Sequence, residues 1–148
     1  MSEEKKPLIN TKWLMDMAAK VAYLMNTSRG RFETKRSQLF RLIEVLEGTT
    51  NAEEALLATA LFAIRQSKRK EREASLIPPN VATAIRDVLL DIAENTEEKA
   101  KIKDLAKEFL GYLRWFFEAS ENVRLPRVRL EDVNAKWLLS RLGRRTIT

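Results

Sequence analysis

The sequence predicts an all-α fold: a single bundle of about five helices, then an extended basic arm and a short C-terminal helix. Three observations carry this expectation. Apolar residues recur at three- and four-residue steps through most of the chain, the period of one buried helix face. Only four glycines and four prolines punctuate 148 residues, too few to turn many β-hairpins. Hydrophobic residues at 45% and charged residues at 32% suit a packed core under a charged surface, and exclude low-complexity disorder.

Each element follows in order. A first helix begins after Asn10-Thr11, either of which can cap it, and runs to about Met25 with Trp13, Leu14, Met17, Ala18, Val21 and Leu24 inward. A polar loop, Asn26 to Arg31, leads to a second helix from about Thr34 to Leu46. That helix buries Leu39, Leu42, Ile43 and Leu46, and Gly48 is expected to end it as a left-handed cap. Asn51-x-x-Glu54 opens a third helix in the manner of a capping box; it is expected to reach Arg72 with Leu57, Leu61 and Ile64 as its inner row.

Pro78 and Pro79 break the chain, because proline disfavours helix in the residue before it. The fourth helix takes Val81, Ile85, Val88, Leu89 and Ile92 inward and stops at Asn95. Thr96 is expected to cap a fifth helix, which buries Ile102, Leu105, Phe109, Leu113 and Phe116 and ends near Asn122. Val123 to Leu130 then alternates apolar and basic residues around Pro126, a period of two that reads as an extended arm. A short helix from about Asp132 to Leu142 buries Trp137 and Leu138 and stops at Gly143. Residues 1–122 form the bundle, and 123–148 the arm and short helix of the same domain.

The sequence contains no cysteine and no histidine. This removes disulfides, thiolate nucleophiles, zinc–thiolate sites, the commonest general base and the commonest metal ligand. Glu53-Glu54 and Glu97-Glu98 sit in first helical turns, where carboxylates partner the helix dipole. Neighbours in sequence point about 100° apart on a helix, so neither pair converges on a substrate or a metal. Phosphate-loop glycines and a nucleophile elbow are absent from the sequence. The expectation is a protein that is not an enzyme and takes no cofactor. The opening Met-Ser-Glu-Glu-Lys-Lys lacks the apolar core of a signal peptide, and no apolar run approaches the roughly 20 residues that span a bilayer, so a cytoplasmic protein with no membrane partner is expected.

The net charge of +6 is not spread evenly. Residues 26–72 hold ten basic and six acidic side chains, and 120–148 hold seven and three, so each stretch carries +4. Residues 73–119 hold six and nine, which is −3. Concentrated positive charge points to a polyanionic partner. At the end of the third helix Phe62, Arg65, Arg69 and Arg72 fall at i, i+3, i+7 and i+10, with Lys68 and Lys70 flanking them. Guanidinium groups in a row suit phosphate, whose oxygens they grip with a planar fork. Cations in a last helical turn also complement the macrodipole without any ligand.

A second group, Arg29, Arg31, Lys35, Arg36 and Arg41, straddles the loop and the start of the second helix, where positive charge opposes the dipole. A third group on the arm, Arg124, Arg127 and Arg129, with Arg141, Arg144 and Arg145 beyond it, reads either as a nucleic-acid arm or as a solvated tail. Trp115 lies about a third of a turn off the Leu105–Phe109–Phe116 row, beside Gly111. It either covers a neighbouring helix or anchors another subunit.

Several of these residues carry a resemblance when taken together. Thr34-Lys-Arg-Ser37-Gln38-Leu39, then Leu61-Phe62-Ala63 with Arg65 and Arg69, then Phe109-x6-Phe116-Phe117-Glu118-Ala119 occur in that order. The ordered set resembles the small helical subunit of type III CRISPR–Cas effector complexes, the Csm branch, over about residues 26–122. Phe40 stands where that family usually has arginine, and Phe62 where it has tyrosine. The resemblance implies a non-catalytic helical bundle that stacks with copies of itself and other Cas subunits along the guide RNA and target RNA. It implies backbone contacts from Lys35, Arg36, Arg41, Arg65 and Arg69; Arg29, Arg31, Lys68 and Arg72 join them on the charge pattern alone. Two rival readings stand beside it. One is a helical DNA-binding regulator; the other is a protein–protein adaptor with no nucleic acid, for which Trp115 matters more than the arginines.

Overall fold

A computed structural model describes residues 6–28, 36–71, 74–75 and 77–143. Five long helices, α1 (Thr11–Thr27), α2 (Arg36–Gly48), α3 (Ala52–Lys68), α4 (Pro79–Asn95) and α5 (Ile102–Ala119), precede a short α6 (Ala135–Arg141). Between α3 and α4 the chain forms a minimal antiparallel ladder, Lys70 opposite Ser75 and Glu71 opposite Ala74. The fold is all-α, a five-helix bundle with a C-terminal helix laid against it.

Asparagine starts three of the helices. The side chains of Asn10, Asn51 and Asn134 accept the backbone N–H of Trp13, Glu54 and Trp137 at 2.8, 3.0 and 2.8 Å. Each bond satisfies one of the donors that a first turn leaves open. Proline at the first position of α4 costs nothing, because its missing N–H has no helical partner there.

The helices pack around α5, which touches all four other long helices and lies most extensively against α1. Phe109, Leu113, Ile102 and Ala106 of α5 are fully buried, as are Leu14 and Ala18 of α1 and Leu89 and Ile92 of α4. The α4 row Val81, Ile85, Val88, Leu89, Ile92 is inward as its spacing predicts.

α3 departs from expectation in two ways. It ends at Lys68; Arg69 is its C-cap, with φ −83° and ψ 137°, and the chain beyond is extended. The four-residue row from Phe62 to Arg72 is therefore not a continuous helical stripe. Leu57 and Leu61 also point outward, 49% and 70% exposed, while Ala55, Leu56, Thr59, Ala60, Ala63 and Gln66 face in. Small residues let α4 approach closely, and α3–α4 is the most extensive pairing in the bundle.

Smaller corrections have local causes. Gly48 is the last residue of α2 and is not left-handed; among described residues only Asn122 (φ 62°) and Gly143 (φ 76°) are. Thr96 caps the end of α4, and α5 begins after a 3-10 turn at Lys99–Lys101. A second 3-10 turn, Leu130–Asp132, occupies the expected start of α6.

On α4, burial and then the like charges of Glu94 and Asp87, each within one turn, raise the Asp91 carboxyl above its ordinary value of 3.8. An ionised Asp91 therefore opposes folding at any pH above its raised value, and the penalty vanishes below 3.8. Asp91→Asn should raise the melting temperature at about pH 7, with the gap to wild type closing by about pH 3.

A candidate nucleic-acid interface

One buried polar contact marks how α3 lies beside α2. Gln66 Nε2 donates to Gln38 Oε1 at 3.2 Å, so the end of α3 lies against the start of α2 and the two helices run antiparallel. Gln66 and Gln38 are 0% and 6% exposed. Arg41 lies one turn along α2 from Gln38 and is rotated about 60° from it, on the side opposite to the buried Leu39 and Leu42. Arg65 precedes Gln66 and is rotated about 100° from it, on the side opposite to the buried Ala63. Because the helices run in opposite directions, both rotations carry the side chains to the same outer side of the α2–α3 pair. Half-buried Phe62 lies between them.

Arg69 continues this face at the tip of α3, and Lys68 lies about 60° further round from α2 than Arg65. Arg41, Arg65, Lys68 and Arg69 are all exposed. Among the described residues none of the four has an ion-pair partner. The opposite end of the bundle behaves differently. There Lys99 pairs with Glu53 at 3.6 Å, Lys101 with Glu98 at 3.3 Å and Lys107 with Glu47 at 3.3 Å. Among the described residues Arg41, Arg65, Lys68 and Arg69 near the α2–α3 tip therefore lack a carboxylate partner, whereas Lys99, Lys101 and Lys107 at the far end have one.

Of the other predicted residues, Arg29, Arg31, Lys35 and Arg72 lie outside the described residues, as does the side chain of Arg36. Arg124, Arg127 and Arg129 are exposed but belong to a different flank. Residues 123–129 form no helix, and in them Leu125 is buried while Arg124, Arg127 and Arg129 are exposed. The arm runs back along α1, which packs on α5, α4 and α6. Arg129 pairs with Glu131.

A stripe on α1, unremarked in the sequence, holds the arm in place. Asn26 Nδ2 donates to the carbonyls of Ser120 (3.1 Å) and Val123 (2.9 Å), and Lys20 Nζ to those of Leu130 (3.0 Å) and Val133 (2.6 Å). Tyr23 Oη accepts the Val128 N–H at 2.9 Å and lies 3.2 Å from the Pro126 carbonyl; Asp16 Oδ1 accepts the Ala135 N–H at 3.0 Å. Asp16, Lys20, Tyr23 and Asn26 fall at i, i+4, i+7 and i+10, and together they satisfy a strand with no partner strand. Burial lowers Lys20 from its ordinary value, against the upward pull of Asp16, Asp132 and Glu131. Tyr23→Phe leaves the Val128 N–H unpaired and should cost about 1–3 kcal/mol, read as lost stability and faster hydrogen exchange at Val128.

Trp115 is 68% exposed and covers no neighbouring helix; its ring meets Tyr112 edge-on at 6.0 Å. Beside it Arg114 stacks 4.4 Å over Phe40 of α2 and pairs with Glu118 at 3.0 Å. Among the described residues no group of three or more acidic side chains is placed to hold a metal ion, and no helix is long and apolar enough to cross a membrane. No family model matches this sequence, and no curated protein or solved structure is similar enough to it to count as a match.

Proposed function

We propose that this chain is a non-catalytic helical scaffold that binds the sugar–phosphate backbone of RNA without reading its sequence. On the resemblance of its helix motifs, its setting is a CRISPR RNA-guided interference complex in the cytoplasm. It acts there as the small subunit, with guide RNA, target RNA, other Cas subunits and further copies of itself as partners. The observation that carries the backbone-binding reading is the contrast in ion pairing. Arg41, Arg65, Lys68 and Arg69 are exposed without a carboxylate among the described residues, while Lys99, Lys101 and Lys107 at the far end are each paired with one. Cations left free of partners can neutralise backbone phosphates, and each contact releases counterions condensed on the nucleic acid. Phosphate contacts position a strand and specify nothing about its bases.

A helix-turn-helix regulator fits less well. That motif crosses its two helices steeply and reads bases from the start of the second. Here α2 and α3 lie side by side down to the Gln38–Gln66 contact, and the start of α3 carries Glu53 and Glu54. Gel shifts on unrelated single-stranded RNAs and on duplex DNA test the choice. RNA binding should be independent of sequence and fall steeply with salt, whereas sequence-selective retention of duplex DNA contradicts the proposal. Purification from the host, with short guide RNA and large Cas subunits co-eluting, tests the setting.

A further inference from the structure

α3 carries an outer seam that no described residue covers. Glu54, Leu57, Leu61, Ile64 and Lys68 follow one another at steps of three, four, three and four, the spacing by which one helix meets another. Leu57 and Leu61 are 49% and 70% exposed, Ile64 is half-buried, and Glu54 and Lys68 are exposed at the two ends. Two leucines displayed on consecutive turns of an otherwise well-packed helix form a local apolar strip, unlike a scattered exposed residue.

The charges at its ends decide what fits the strip. Glu54 and Lys68 each lie seven residues from Leu61, in opposite directions along the helix. They are about 21 Å apart, too far to meet within one chain, and among the described residues neither has an ion-pair partner. An identical helix laid antiparallel, with Leu61 against Leu61, brings Glu54 of each copy beside Lys68 of the other. Parallel pairing would instead set like charges opposite one another.

We propose that the outer seam of α3 is a self-complementary docking surface for a second copy of this chain, related by a two-fold axis at Leu61. The pairing is closed, so it yields a dimer and does not propagate; stacking of copies along RNA requires a separate, heterologous contact. One helix pair buries less than a standard interface, so the dimer is a weak one. In the dimer Lys68 is engaged by the second copy, and phosphate is left to Arg41, Arg65 and Arg69. The inference does not depend on RNA binding.

Sedimentation velocity on the full chain without nucleic acid, across a concentration series, tests it. The mass should approach that of a dimer as concentration rises. Leu61→Glu should weaken the dimer by at least about 30-fold, the loss of one interface hot spot, with an unchanged circular dichroism spectrum because the side chain is exposed. Glu54→Lys and Lys68→Glu should each weaken association, and the double variant should restore it. A monomer at every concentration, a dimer indifferent to Leu61→Glu, or a double variant no better than either single one would each overturn the proposal. Leu61→Glu leaves the proposed RNA face untouched, so loss of the dimer is distinguishable from loss of RNA binding, which is read separately by gel shift on the same protein.

Discussion

Phe109→Ala should destabilise the fold by about 3–5 kcal/mol, the largest loss expected of any single core truncation here. Phe109 is 0% exposed on the helix that touches every other long helix, so the vacated volume borders several elements that cannot all relax into it. A domain of this size has about 5–15 kcal/mol in total, so the variant forfeits a large share of it. The melting temperature should fall by about 10–15 °C. Trp115→Ala on the same helix removes a larger side chain that is 68% exposed, and should leave the melting temperature nearly unchanged. Equal losses from both substitutions would mean that α5 is rotated from the orientation described.

Reversing Arg41, Arg65 and Arg69 together to glutamate should weaken single-stranded RNA binding on the order of 100-fold at moderate salt. Each substitution removes a phosphate contact and installs a repulsive charge on the same face. None of the three should cost much stability, since all are exposed and none has an ion-pair partner among the described residues. Single reversals should give partial losses that accumulate, because backbone contacts are spread along a strand and are not concentrated in one pocket. A fluorescence anisotropy titration with two unrelated RNAs of equal length should show the same loss for both.

How much of this was legible in the sequence depends on whether one apolar row competed with another. α4 offers a single row, Val81, Ile85, Val88, Leu89 and Ile92, and it is the row that is buried. α3 offers two, and the larger side chains suggest the wrong one. Leu57 and Leu61 look like core by size, yet half of the buried row is alanine, because what that face needs is close approach to α4. Periodicity reports that a helix is amphipathic; it does not report which side chains a neighbour can accommodate.

The arm shows a second limit. Its period of two reads as an arm outside the helices, and no helix forms over 123–129. The polar residues that hold it lie about a hundred positions earlier, on α1, and each by itself looks like an ordinary surface residue. A signal was present: Asp16, Lys20, Tyr23 and Asn26 share one stripe, and an extended segment without a partner strand must send its backbone bonds somewhere. In the candidate site the residue types were readable, but their convergence was not. That Arg41 and Arg65 share a face follows from the antiparallel run of α2 and α3, marked by the Gln38–Gln66 contact. The end of α3 at Lys68 also replaced the longer arginine stripe with a shorter face built from two helices.

The most direct test of the backbone-binding claim separates the position of charge from its amount. Affinity for single-stranded RNA is measured against salt concentration for wild type, for Arg41, Arg65 and Arg69 all changed to glutamine, and for Lys99, Lys101 and Lys107 all changed to glutamine. Both variants lose the same charge. The slope of log affinity against log salt should shrink by about 2 for the arginine variant, three phosphate contacts' worth, and should be unchanged for the lysine variant. Equal shrinkage in both would mean that overall charge, and no particular face, holds the RNA.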